Sequence, residues 1–370
     1  VGALFGDFFA RIVGFPTPIF LVMLVQSFSV YVLGYFGNYF IQKQKAMTNL
    51  LLSLFSVSLT VILSLTLIWF WEDDFYARVI GQFIPSLMVA IVAIAYLYNR
   101  GKNFIKREYV WFSLSISLPL IFHQLGHQLL NQLDRIMIGR MLGTNEVALY
   151  SFGYNLGLII QVVLLSLNTT WTPWFFEERR KNNQNLSTVI SLYLQVGLFL
   201  TLGYLTIYPE VALIMGGDAY LSSISFIPLI IVSYFLTFLY TFPVNIQFFY
   251  ENTSFIPIGT ILAAIVNLIL NIVMIPTFGI YGAAMATVLS YLSLLILHHI
   301  ISFRRYSYQD VSIKQYSVLV VIVSSYAILT AWLANELLIR YAIGLVIVSG
   351  YFVRYKKNIQ ELIRQKFKNK

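Results

Sequence analysis

The feature that most constrains this chain is a succession of long apolar runs joined by short connections. A helix needs about 20 mostly apolar residues to cross the hydrocarbon core of a bilayer. The sequence offers eleven such stretches, at 17–41, 47–70, 79–98, 110–133, 146–172, 187–207, 220–249, 255–275, 280–303, 315–334 and 338–353. The runs are continuous and not alternating, which predicts helices in place of barrel strands. The expected fold is therefore all-α and polytopic. Composition agrees: 59% of the 370 residues are apolar and 11% are charged, against about 25% charged in a soluble domain. The longest internal connections, 99–109 and 304–314, are about ten residues each, too short for a folded domain outside the membrane.

The basic residues test this segmentation, because cytoplasmic loops collect Lys and Arg. Threading the chain through eleven spans places 19 of the 24 basic residues on one side and 5 on the other. The crowded side holds Lys43, Lys45, Arg100, Arg107, Arg179 to Lys181, Arg304, Arg305 and the basic tail. It is expected to be cytoplasmic, in a cell inner membrane, with the C-terminus inside. An odd number of spans then puts Val1 outside, with no leader to carry it there. The expected explanation is that an odd number of spans preceded it in a longer parent.

Several classes of chemistry drop out. Cysteine is absent, which removes a disulfide framework, a thiolate metal site and a cysteine nucleophile. The net charge of +9 is scattered between apolar runs, whereas nucleic-acid binding needs a clustered basic face. No cofactor is expected.

Polar residues concentrate in one span, "SLSISLPLIFHQLGHQLLNQLDRIMIGRMLG" (113–143). Gln124, Gln128, Asn131 and Arg135 recur at helical spacing along one face, and His123, His127 and Asp134 follow an adjacent line. Polar side chains inside a span face a bundle interior or a watery cavity, or they glue helices together; both roles stay open for these residues. His123 and His127 share a face, but "HQLGH" supplies neither a catalytic Glu nor a third ligand, so no metal site is expected. Pro119, Pro228, Pro243 and Pro257 are candidate kinks, and the 220–249 span is the expected bending helix. The tryptophans Trp69, Trp71, Trp111, Trp171 and Trp174 read as anchors at span ends.

Two segments carry a resemblance. They are "NQLDRIMIGRMLGTNEVALYSFGYNLG" (131–157) and "NTSFIPIGTILAAIVNLILNIVMIPTFGIYGAAMATVLSY" (252–291). The first has the Asp134-Arg135 pair followed by Gly139, Gly143, Val147 and Tyr150. The second has Asn267 and Asn271 before Pro276, then "FGIYGAAMAT". Together they resemble the polysaccharide-unit flippases of the multidrug/oligosaccharidyl-lipid/polysaccharide exporter superfamily. The resemblance implies two lobes of six helices with optional C-terminal helices. It divides this chain into 1–105 (three helices remaining of a first lobe), 106–303 (a complete second lobe) and 304–370 (two extra helices and a basic tail). A fourteen-helix member lacking its first three helices fits that division.

The resemblance also implies a substrate, a polyprenyl-diphosphate-linked oligosaccharide such as an O-antigen, capsule or exopolysaccharide repeat unit. It would be flipped from the cytoplasmic to the outer leaflet by alternating access, without enzymatic chemistry. Diphosphate asks for arginine, for which Arg135 and Arg140 are the candidates. Sugar asks for amides, hydroxyls and aromatic faces, for which Gln124, Gln128, Asn131, Tyr150, Asn155 and Gln161 are the candidates, with Asn168 and Trp171. Asp134 is added as a cavity residue. Expected partners are the lipid-linked glycan and membrane lipids, with a glycan polymerase and other assembly proteins, around a monomeric transporter. Two alternatives remain. A cation-coupled multidrug antiporter of the same superfamily would need an acid within the spans. A membrane glycosyltransferase or polymerase would rest on the acidic loop "WEDDFY" (71–76).

Overall fold

The computed structural model describes residues 16–350 apart from 44, 72, 102–105, 182–185, 253 and 348, with the backbone alone at 41, 42, 46 and 115–131. The described residues form α-helices and one 3-10 segment, without strands. In chain order the helices are α1 (Thr17–Gln42), α2 (Ala46–Phe70), α3 (Asp74–Gly101), α4 (Arg107–Met141) and α5 (Thr144–Arg180). Then come α6 (Leu186–Gly216), the 3-10 segment Asp218–Ser225, α7 (Ile227–Phe249), α8 (Phe255–Tyr306), α9 (Ile313–Trp332) and a short α10 (Leu337–Ile347). Eight of them are long and apolar enough to cross a membrane.

One of these, α8, is two spans. It runs for 52 residues and breaks at Gly279, where φ is 59° and ψ is −139°, a conformation open to glycine at little cost. Beyond the break the chain folds back so closely that a Cβ on Gly282 would sit 2.1 Å from the Met274 carbonyl oxygen. The expected spans 255–275 and 280–303 are these two rods, and counting them separately gives eleven helical rods among the described residues.

The expected 220–249 span is not one helix. Residues 218–225 form the 3-10 turn, and α7 begins at Ile227 with Pro228 in its first turn. There the missing N–H of proline costs nothing, so Pro228 starts a helix and does not bend one. Pro257 likewise lies in the first turn of α8. Pro243 does sit inside α7.

Helix ends follow local electrostatics. Basic residues close α3 (Arg100), α5 (Arg179, Arg180) and α8 (Arg304, Arg305), where the negative end of the helix dipole favours cations. Asp73 of the acidic loop receives the Phe75 and Tyr76 N–H groups at 3.0 and 3.2 Å. That makes it the cap of α3.

The chain divides into two compact units, Val1–Ile116 and Ser117–Lys370. In the first, α1, α2 and α3 pack on one another around a small core of Val32, Phe36, Phe40, Ala90 and Ala93. In the second, α7 is the central post, packed by α5, α6, α8 and α9. It buries 18 of its 23 residues, as a helix apolar on every side must. Trp171, expected at an interface, belongs to this core: it is 6% exposed and its ring stacks on Tyr193 at 4.3 Å. Trp69, Trp71 and Trp111 are exposed.

A candidate coupling site around a buried aspartate

Asp134 lies about two turns before the end of α4 and is 2% exposed. An ionised carboxylate removed from water is costly unless hydrogen bonds replace its hydration, and three neighbouring rods supply them. From α5, the Tyr150 hydroxyl donates to Oδ2 at 2.9 Å. From the first rod of α8, Asn271 Nδ2 donates to Oδ1 at 2.6 Å. From the second rod, Thr287 Oγ1 donates to Oδ2 at 2.8 Å. Asn271 also donates to Asn267 Oδ1, one turn away, at 2.9 Å. Its own Oδ1 is buried without a partner.

Local sequence explains how these groups meet. Gly143 takes a φ of 111° between α4 and α5, so the chain turns sharply and brings Tyr150 back beside Asp134. Gly139 leaves room for Val147 at that corner, with a Cβ there only 3.2 Å from its Cγ2. The tight reversal at Gly279 and Gly282 brings Thr287 level with Asn271. The two segments that carry the resemblance thus meet in space at one carboxylate.

Arg135 turns away from this knot. Its guanidinium carbon lies 4.7 Å from the centre of the Tyr154 ring, and Nη1 donates to Gln132 Oε1. Its Nε is buried without a partner. Tyr154 in turn packs edge-on against Tyr234 of α7 at 5.6 Å. Arg140, the other candidate for diphosphate, is exposed in the last turn of α4. Five residues apart on a helix, the two arginines project about 140° from one another, so the structure does not bring them to one phosphate.

The remaining candidates separate. Tyr150 is fully buried and stacked on Phe226 at 5.8 Å. Asn155 is exposed and Gln161 half-buried on α5. Asn168 accepts from Asn245 Nδ2 at 3.0 Å, and Trp171 is core, so both serve packing. Gln124, Gln128 and Asn131, with His123 and His127, lie outside the described side chains. No group of three metal-ligating side chains occurs among the described residues.

Sequence reasoning placed Asp134 at the end of a span and missed the depth of its burial. It also passed over Thr287, whose signal was its place one turn beyond Ala283 on the small-residue face of "GAAMAT".

Comparison with known proteins gives this geometry a context. Residues 3–179 match a family model described as polysaccharide biosynthesis protein. Two proteins of Haemophilus influenzae are similar. One is a protein of the Lsg locus, 23% identical over 222 residues, covering 57% of this chain and 55% of its own length. The other is an uncharacterised membrane protein, 25% identical over 241 residues, covering 60% and 58%. The chain thus spans little more than half the length of the curated relatives it matches. Among solved structures, the lipid II flippase MurJ in an inward closed conformation matches at a TM-score of 0.65 and 14% identity, over 93% of this chain and 73% of that one. An outward-facing MATE family multidrug transporter matches at 0.55 and 15%, over 77% and 68%. A MOP superfamily transporter from Pyrococcus furiosus matches at 0.57 and 14%, over 82% and 74%. The chain is thus similar over residues 3–179 to the polysaccharide biosynthesis protein family, and its fold is similar to that of these three solved transporters.

Proposed function

We propose that this protein is the transporting part of a flippase for a polyprenyl-diphosphate-linked oligosaccharide, a repeat unit of O-antigen, capsule or exopolysaccharide. It carries the unit from the cytoplasmic to the outer leaflet of the inner membrane by alternating access. The C-terminus is cytoplasmic, residues 106–303 act as a complete second lobe, and a glycan polymerase takes the product. The observation that carries the proposal is the meeting of the two family segments at Asp134. A carboxylate gripped from three neighbouring rods is an element with two states: intact while its three donors hold it, loosened when they do not.

That knot also favours coupling to a cation, the feature that the antiporter alternative requires. The buried acid and the unpartnered Asn271 Oδ1 beside it form an acceptor-rich spot that a proton or a small monovalent cation would complete. Charge neutralisation there would release Tyr150, Asn271 and Thr287 together.

The test is complementation of cells that lack the gene, with surface glycan as readout and membrane insertion as control. Asp134→Asn keeps the volume and removes the charge. It should insert normally and restore less than a tenth of the wild-type glycan. Restoration at the wild-type level would sink the coupling role. An unaltered glycan in the deletion strain itself would sink the flippase assignment.

A further inference from the structure

The first unit carries a groove of its own. Between α1 and α3 runs a cleft of about 530 Å³ lined by Tyr31, Tyr35, Tyr39, Tyr98 and Arg100, together with the aliphatic Val32, Ile94 and Leu97. Tyr31, Tyr35 and Tyr39 recur every fourth residue and so stand on one face of α1. The ladder extends about 12 Å along the helix from Tyr39 to Tyr31. Tyr31 is 69% and Tyr35 57% exposed.

Facing hydrocarbon, such a stripe would be a poor choice. Tyr31 lies near the middle of an apolar 26-residue helix, and a phenol that finds no partner in lipid loses its hydrogen bonds at a cost of about 2 kcal/mol or more. Leucine would avoid that cost. Three phenols in line therefore mark a surface that meets water or a polar ligand.

The mouth of the cleft adds a cation. Arg100 lies over the Tyr96 ring at 5.0 Å and has no carboxylate within ion-pair distance among the described residues. Tyr96 is itself held by Phe36 at 5.4 Å and Phe40 at 5.9 Å, so the guanidinium rests on a rigid aromatic wall. A guanidinium recognises phosphate through paired N–H donors. Aromatic faces with hydroxyl edges recognise sugar rings through stacking and hydrogen bonds. A bare lipid chain asks for neither.

We propose that this cleft is a docking subsite for the sugar-diphosphate headgroup of a lipid-linked glycan, with Arg100 on the phosphate and the Tyr31–Tyr35 ladder on the sugar. The assignment rests on the flippase function proposed above and adds a place for its cargo on the first unit.

The full chain in lipid nanodiscs is titrated with three probes: a polyprenyl diphosphate bearing a disaccharide, the same lipid without sugar, and phosphatidylglycerol. Arg100→Gln should weaken both diphosphate probes about tenfold, the loss of one charge-assisted pair. Tyr31→Leu with Tyr35→Leu should weaken only the glycosylated probe, by about fivefold or more. Tyr31→Phe with Tyr35→Phe keeps the rings and guards against misfolding, and should fall between. Equal affinity of wild type and all variants for the glycosylated probe would overturn the subsite and leave the flippase function standing. An Arg100→Gln loss as large for phosphatidylglycerol as for the diphosphates would make the cleft a phospholipid site and overturn it too. Failure of the wild type to bind either diphosphate would overturn the subsite and the function together.

Discussion

Helices α2 and α7 show how differently the two units use the same kind of sequence. α2 is the more apolar of the two, yet no residue of its most apolar stretch is fully buried, whereas that of α7 is mostly buried. In water the order would reverse, because apolar residues gain most from leaving the solvent. In a bilayer, lipid tails are as apolar as leucine, and helices associate through packing and polar contacts. Polar groups follow the same division. In the second unit they are buried and paired, as at Asp134 and at Asn245 with Asn168. In the first, Tyr31, Tyr35 and Arg100 are exposed along a cleft.

The contrast can be broken from either side. The largest effect is expected from Asp134→Leu, which takes the acceptor from three buried donors, at about 1–3 kcal/mol for each one left unpaired. Thermal unfolding in detergent should fall by several degrees and transport should vanish; an unchanged melting temperature would mean that the second unit does not depend on its polar knot. Gly282→Val comes next. Its Cβ would meet the Met274 carbonyl, and prying the two rods apart should cost about 1–3 kcal/mol, read as loss of monodisperse protein or of thermal stability. Arg135→Ala removes the cation over Tyr154, worth about 1 kcal/mol, and should abolish surface glycan while insertion stays intact. Wild-type glycan would remove Arg135 from the substrate path. The smallest effect belongs to the first unit, where Tyr35→Leu should leave stability within about 0.5 kcal/mol. A larger loss there would mean that the ladder is structural and that the two units do not differ as described.

Sequence made parts of the site legible and hid others for physical reasons. Asp134, Asn267, Asn271 and Tyr150 stood out because polar residues inside apolar spans are costly and few. Thr287 did not, since a threonine among small residues reads as packing. The depth of Asp134 was hidden because its burial comes from rods more than a hundred residues later in the chain. The role of Asp73 as a helix cap was equally hidden, and its loop looked like a candidate acid site until the Phe75 and Tyr76 N–H groups were seen to point at it. Arg135 and Arg140 were both candidates for one diphosphate, but five residues apart on a helix they point in different directions.

The sequence by itself determined that the chain is helical, that it crosses a membrane many times, and where most rods begin and end. Length, apolar continuity and the side on which Lys and Arg fall are local properties, fixed by the bilayer and by each segment alone. Tertiary structure alone decided which apolar faces meet protein, where α8 folds back on itself, and that two distant segments share one carboxylate. Those outcomes depend on close approach and on hydrogen-bond geometry between remote residues, and in a medium as apolar as the helices themselves no hydropathy pattern announces them.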